Sequence, residues 1–191
     1  NEVGNNPQKF GIPLDEFHKN NVQRQRETPH TLIATSTHDS KRGEDVRSRI
    51  NVLSEIPEEW KAALKRWNAF NRNKKLPVNN EEVPDRNEEY YLYQTLLGSY
   101  PLDTITEKKL SSYLERITTH MIKAMREAKV HTSWINPSTE YEDGVRQFIV
   151  AILEAKPENA FLNDFRLFNA VLASCGIYNS LSQTLLKLFS P

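Results

Sequence analysis

The residues of this chain best equipped for chemistry lie in one short run, Thr35-Ser36-Thr37-His38-Asp39-Ser40-Lys41-Arg42-Gly43-Glu44-Asp45-Val46-Arg47. It joins a β-like run, His30-Thr31-Leu32-Ile33-Ala34, to a helical pattern with Val46, Ile50 and Leu53 on one face. Imidazole, carboxylate, ammonium and guanidinium groups are thus crowded at the mouth of a strand, where α/β enzymes place their binding and catalytic groups. Judged alone, the same residues have a plainer reading. Asp39 can cap the turn that follows it. Glu44 and Asp45 lie where a helix dipole favours acids, and Glu44 and Arg47, three residues apart, can form a surface ion pair.

Metal and phosphate chemistry find less support. The five histidines, His18, His30, His38, His120 and His131, include no pair at the spacing of a helical zinc motif. His120 falls at the edge of an apolar stripe between Ile117 and Ala124, where a histidine packs its ring and wets one nitrogen. Gly43 alone makes no phosphate loop. The sequence predicts no cofactor and no metal.

The elements that must position the 35–47 run are almost all helical. Asp15 to Arg26 can form a helix around Phe17 and Val22, and residues 30–36 read as the single strand, one that cannot form a sheet alone. A helix over Pro57–Phe70 puts Trp60, Ala63, Leu64, Trp67 and Phe70 on one face. Its start suits a proline without an N–H, followed by Glu58 and Glu59. Residues 71–88, with two prolines and several asparagines, read as a long surface connection. A short helix over Glu89–Leu97 carries Tyr90, Tyr93 and Leu97. From Thr106 to Lys129, Leu110, Tyr113, Leu114, Ile117, Met121 and Met125 keep the three-and-four spacing of one buried face. Further helices are predicted over Asp143–Ala155, Asn159–Ala173 and Ser180–Phe189, with Gly176 as the stop between the last two. The fold class is therefore mainly α, with one short strand. There is no repeat at solenoid periods.

Composition bounds the rest. With 191 residues the chain can bury a sizeable core. Lys+Arg and Asp+Glu both number 25, a balance that argues against nucleic acid or an anionic membrane as partner. No apolar run approaches a bilayer span. The single cysteine, Cys175, fits a reducing, cytoplasmic setting, and its apolar neighbours Val171, Leu172 and Ala173 predict a buried small hydrophobe. The chain starts without Met and stops just after an apolar helical pattern, so it reads as a piece excised from a larger protein.

The 35–47 run resembles the segment of the maltooligosyl trehalose synthase family, in the α-amylase clan, that carries the clan's last catalytic carboxylate. Where this chain has Ser40 the family usually has Thr, which keeps the hydroxyl. Further matches are Asn1-Glu2-Val3-Gly4, Phe10-Gly11, Leu53-Ser54-Glu55-Ile56-Pro57-Glu58-Glu59-Trp60 and Asn87-Glu88-Glu89-Tyr90. Others are Tyr93-Gln94-Thr95-Leu96-Leu97-Gly98, Thr132-Ser133-Trp134-Ile135-Asn136-Pro137 and Gln183-Thr184-Leu185-Leu186-Lys187. The resemblance implies a (β/α)₈ barrel with large helical additions. Residues 1–50 would belong to the catalytic barrel, with 30–36 a late strand, and 51–191 to a helical subdomain. The chain would stop just before the next strand.

The resemblance also implies a role for each site residue. Asp39 would be the third carboxylate, binding sugar hydroxyls beside the scissile bond. His38 would donate to the same sugar, while Lys41 and Arg42 would bind neighbouring glucose units of a maltooligosaccharide. The nucleophile and the acid/base would lie upstream, leaving the excised piece inactive and its 30–42 segment without its sheet partners. The implied reaction is an intramolecular transglycosylation that turns the reducing-end α-1,4 bond into an α,α-1,1 bond. Water must be kept from the intermediate, which is one task for the helical part. Trp134 and Tyr141 are candidates to stack on glucose rings or to be core. A related α-glucan hydrolase and a non-catalytic helical interaction module are the alternatives.

Overall fold

Trp67 shows why the helical spacing succeeds. In the computed structural model, which describes Asn6, Gln8 and residues 11–102 and 107–190, its indole is fully buried. The rings of Trp60, Tyr93, Phe161, Phe165 and Phe168 surround it at centroid distances of 5.3 to 5.6 Å. Its Nε1 donates to Asp164 Oδ2 at 2.7 Å, so burial leaves no polar atom unpaired. Each such ring contributes about 1.5–3 kcal/mol by leaving water.

Among the described residues seven helices account for most of the chain: α1 Leu14–Glu27, α2 Glu44–Asn51, α3 Pro57–Asn71, α4 Arg86–Ser99, α5 Glu107–Ala128, α6 Thr139–Leu153 and α7 Ala160–Phe189. The aromatic cluster joins α3, α4 and α7. On the other side α5 packs on α6, and α6 on a small hairpin. Pro57 stands in the first turn of α3 with Glu58 and Glu59, as its type demands. The predicted start of α5 at Thr106 lies outside the described residues, as do Asn1 to Gly4 and Phe10.

The structure corrects four expectations. No strand forms at residues 30–36. They run without secondary structure and leave Leu32 96% exposed, because among the described residues no neighbouring strand completes the ladder. The hairpin lies instead inside 71–88, where β1 Leu76–Val78 pairs antiparallel with β2 Glu81–Val83. Asn79 and Asn80 take φ of 51° and 67° at its turn, the left-handed pair a tight hairpin needs and asparagine tolerates. Lys75 clamps this hairpin to α4: its buried Nζ meets Glu89 Oε2 at 2.7 Å and donates to Pro84 O at 2.9 Å.

The third correction is that Gly176 stops nothing. The helix α7 runs unbroken through it, since α2 crosses there and needs the missing side chain. A Cβ on Gly176 would lie 2.9 Å from Arg49 Cα, and one on Gly98 of α4 would lie 2.5 Å from Val46 Cγ1. Thus α2 is seated between α4 and α7 at two glycines. Fourth, Cys175 is exposed, because Leu172, Ala173 and Gly176 form the buried face of α7 at that level. Beyond Gly176 the helix leaves Leu181, Leu185 and Leu188 more than half exposed.

Candidate functional site

The 35–47 run is held by its own side chains. Ser40 Oγ donates to Thr37 O at 2.7 Å and accepts from Thr37 N at 2.8 Å, closing a 3₁₀ turn over His38–Ser40. Lys41 ends it at φ 59°, a left-handed conformation that costs a residue with a Cβ about 1–2 kcal/mol. Glu44 and Arg47 both reach back to Thr35. Its hydroxyl donates to Glu44, and Arg47 Nη1 donates to its carbonyl at 3.1 Å. The Thr35 hydroxyl, with backbone N–H support, holds the exposed Glu44 carboxyl below its ordinary pKa. So α2, seated against Gly98 of α4 and Gly176 of α7, fixes the approach to the turn.

This turn forms one wall of an open cleft of about 1190 Å³. His38, Lys41 and Arg42 line it, and across from them stand Tyr91 of α4, His120 of α5 and Trp134 of the loop after α5. Arg42 is the half-buried anchor. Its guanidinium carbon lies 4.7 Å from the Tyr91 ring centroid, and its Nη2 donates to Thr95 Oγ1 at 3.1 Å. Burial lowers its pKa, with Tyr91 opposing, yet a guanidinium stays charged at any physiological pH. Tyr91 in turn stacks on His120 and bonds its Nε2 through the phenol at 3.0 Å. Burial and then the nearby Arg42 and Lys123 lower the pKa of His120, which favours the neutral ring. Ring faces, hydroxyls and charges of both signs suit a neutral, hydroxyl-rich ligand better than a polyanion.

The structure brings His38, Lys41 and Arg42 to the cleft. Asp39 is exposed on the same turn but outside the cleft lining. Of the two stacking candidates, Tyr141 is core and Trp134 is 58% exposed. Sequence reading missed Tyr91; its signal was the polar i, i+4 pair Tyr91 and Thr95 beside the buried stripe of α4. It also passed over a cluster at the cleft wall, where ligand-type atoms of Asp85 and Glu88, which line the cleft, and of His131 lie within 4.8 Å of one another.

These groups are committed to protein partners. Asp85 Oδ1 caps α4 by accepting from Glu88 N at 2.8 Å, and its Oδ2 meets His131 Nε2 at 2.9 Å. The buried Tyr141 hydroxyl donates to Glu88 Oε2 while its ring stacks on His131. Burial raises the Glu88 pKa against the Tyr141 bond. For Asp85 burial acts in the same direction, but the Glu88 N–H and His131 outweigh it and leave the pKa lowered. The cluster ties the loop after α5 to the start of α4.

Comparison with known proteins points one way. Two curated Mycobacterium tuberculosis proteins, from strains CDC 1551 / Oshkosh and ATCC 25618 / H37Rv, carry the name maltooligosyl trehalose synthase. Each is 36% identical to this chain over 154 residues, 81% of the chain and 18% of its own length. The chain therefore spans about a fifth of the length of the curated relatives it matches. The crystal structure of a hypothetical maltooligosyl trehalose synthase of Sulfolobus tokodaii matches all of the chain and 24% of its own, with 38% identity and a TM-score of 0.81. The maltooligosyltrehalose synthase of Arthrobacter ramosus matches 99% of the chain and 22% of its own, with 28% identity and a TM-score of 0.77. The matched part is C-terminal in those enzymes. No protein-family model matches the chain.

Proposed function

We propose that this chain, homologous to a C-terminal segment of the maltooligosyl trehalose synthases, supplies part of the active site of such an enzyme. The observation that carries this is the 38% identical synthase fold over the whole chain. The enzyme isomerises a maltooligosaccharide, converting its reducing-end α-1,4 linkage to α,α-1,1. Residues 1–50 belong to its barrel and 51–191 to its helical subdomain, and it works in the cytoplasm.

Retaining glycosyl transfer uses one carboxylate as nucleophile and another as acid/base. Both come from the remainder of the enzyme. Asp39 holds hydroxyls of the sugar at the scissile bond once strand neighbours fix residues 30–36 and set the turn. Its fixed anion favours the transition state, in which positive charge develops on that sugar. His38 donates to the same sugar. Lys41 and Arg42 hold adjacent glucose units, and the Tyr91 stack keeps Arg42 in one orientation. The helical wall excludes water while the released glucose turns over, so that transfer outruns hydrolysis.

The test uses the full-length protein with maltopentaose, following reducing ends and free glucose together. Loss of reducing ends with little glucose supports the mutase, and Asp39→Asn abolishes that loss without unfolding the protein. Glucose appearing together with a gain of reducing ends would make it a hydrolase instead.

A further inference from the structure

We propose that Trp134 is a stacking platform for one glucose ring of the bound maltooligosaccharide, at a position in the cleft away from the reacting bond. This rests on the proposed function above and assigns a glucan contact to the helical wall.

Three features of the loop after α5 carry the inference. Of the three tryptophans, Trp60 and Trp67 are buried in the aromatic core, while Trp134 is 58% exposed on the cleft. Its exposure does not come from a loose loop. Thr132 Oγ1 donates to Glu142 Oε1 at 2.7 Å and accepts from Ser138 N at 3.0 Å. Ser133 N donates to Asn136 O at 3.2 Å, and Asn136 N to Ser133 Oγ at 2.9 Å. Lastly, the indole is held from one side. The Arg126 guanidinium carbon lies 4.9 Å from the ring centroid, and its nitrogens form two 2.7 Å bonds to Glu142.

An indole fixed by a cation on one face and presented to a cleft is prepared for a flat, partly apolar ligand surface. A pyranose ring with equatorial hydroxyls has one. Its C–H face stacks on the indole while its hydroxyls stay hydrated or reach polar groups at the rim. A contact away from the reacting bond binds ground state and transition state alike, so it acts on KM and leaves kcat alone. Burying some 50–60 Å² of apolar surface corresponds to roughly a tenfold change in affinity.

The experiment compares wild type, Trp134→Ala and Trp134→Phe in the full-length protein, with maltotriose and maltoheptaose, alongside melting temperatures. We expect Trp134→Ala to raise KM for maltoheptaose by about tenfold at unchanged kcat and Tm, with a smaller effect on maltotriose. Trp134→Phe keeps a ring and restores most of the loss. An unchanged KM for maltoheptaose overturns this inference and leaves the proposed function standing. A fall in Tm and kcat together overturns it as well, marking Trp134 as a packing residue. Absence of any wild-type activity on maltooligosaccharides overturns both.

Discussion

Replacing Gly176 by alanine tests how α2 is seated. In a helix interior this change is worth about 1 kcal/mol of stabilisation from propensity alone. Here the added Cβ would lie 2.9 Å from Arg49 Cα and 2.7 Å from Arg49 Cγ, where ordinary contact begins at 3.4 Å. The backbone of α2 must therefore retreat by about half an ångström, and overpacking of this kind costs about 1–3 kcal/mol. Arg49 cannot swing away freely, since its Nη1 donates to Tyr100 O at 2.8 Å. The expected net effect is a loss of about 1 kcal/mol. At Gly98 the obstacle is Val46 Cγ1, 2.5 Å from the added carbon, on a side chain whose rotamer is fixed in a helix. Val46→Ala should therefore relieve Gly98→Ala in a double-mutant cycle, with a coupling of about 1 kcal/mol. Urea unfolding followed by far-ultraviolet circular dichroism reads both. If Gly176→Ala proves more stable than wild type and the Val46–Gly98 coupling is zero, propensity rules and the seating argument is wrong. Because Glu44 and Arg47 hold Thr35 from α2, the same displacement carries over to the cleft wall.

Two further outcomes follow from buried charge. Lys75→Met leaves the Glu89 carboxylate with Tyr93 and Asn68 as its partners among the described residues, and should cost about 3 kcal/mol. The pair Lys75→Met/Glu89→Leu should restore most of it, and a single variant as mild as the double would refute the role of the ion pair. The Arg126 guanidinium holds the Glu142 pKa below the carboxylate range, against burial and with Thr132 assisting. A depressed folded pKa gives stability that is present above the unfolded value, about 4.3, and lost as pH falls through the folded value. The stability gap between wild type and Glu142→Gln should thus be full at neutral pH and close in acid. A gap that widens on acidification would contradict this.

The sequence made the helices legible wherever a single face is buried. Trp60, Ala63 and Trp67 of α3 and the stripe of α5 follow directly from apolar spacing, while Phe70, on the same expected face of α3, is exposed at the helix end. What it hid depended on neighbours. Gly176 has the type of a helix stop, and only the crossing of α2 at Arg49 explains why it lies mid-helix. The hairpin was masked by Pro77, Asn79 and Asn80, residues that mark loops but here make a tight turn. Residues 30–36 have the composition of a strand but, among the described residues, no neighbouring strand to pair with. At the cleft, local sequence pointed to one wall, His38 to Arg42. The facing wall comes from α4, α5 and the loop after α5, some 50 to 90 positions further along the chain, which no local motif connects to it.

The far half of α7 has a colloidal consequence. Leu181, Leu185 and Leu188 form an uncovered oily ridge on a polypeptide whose cationic and anionic residues number 25 each. A molecule without net charge has no long-range repulsion to keep copies apart. Near neutral pH the isolated chain would behave as a sticky particle. Raising the salt would strengthen its self-association through the ridge, whereas a mild detergent, or acidic residues introduced on the outer face of α7, would keep it dispersed.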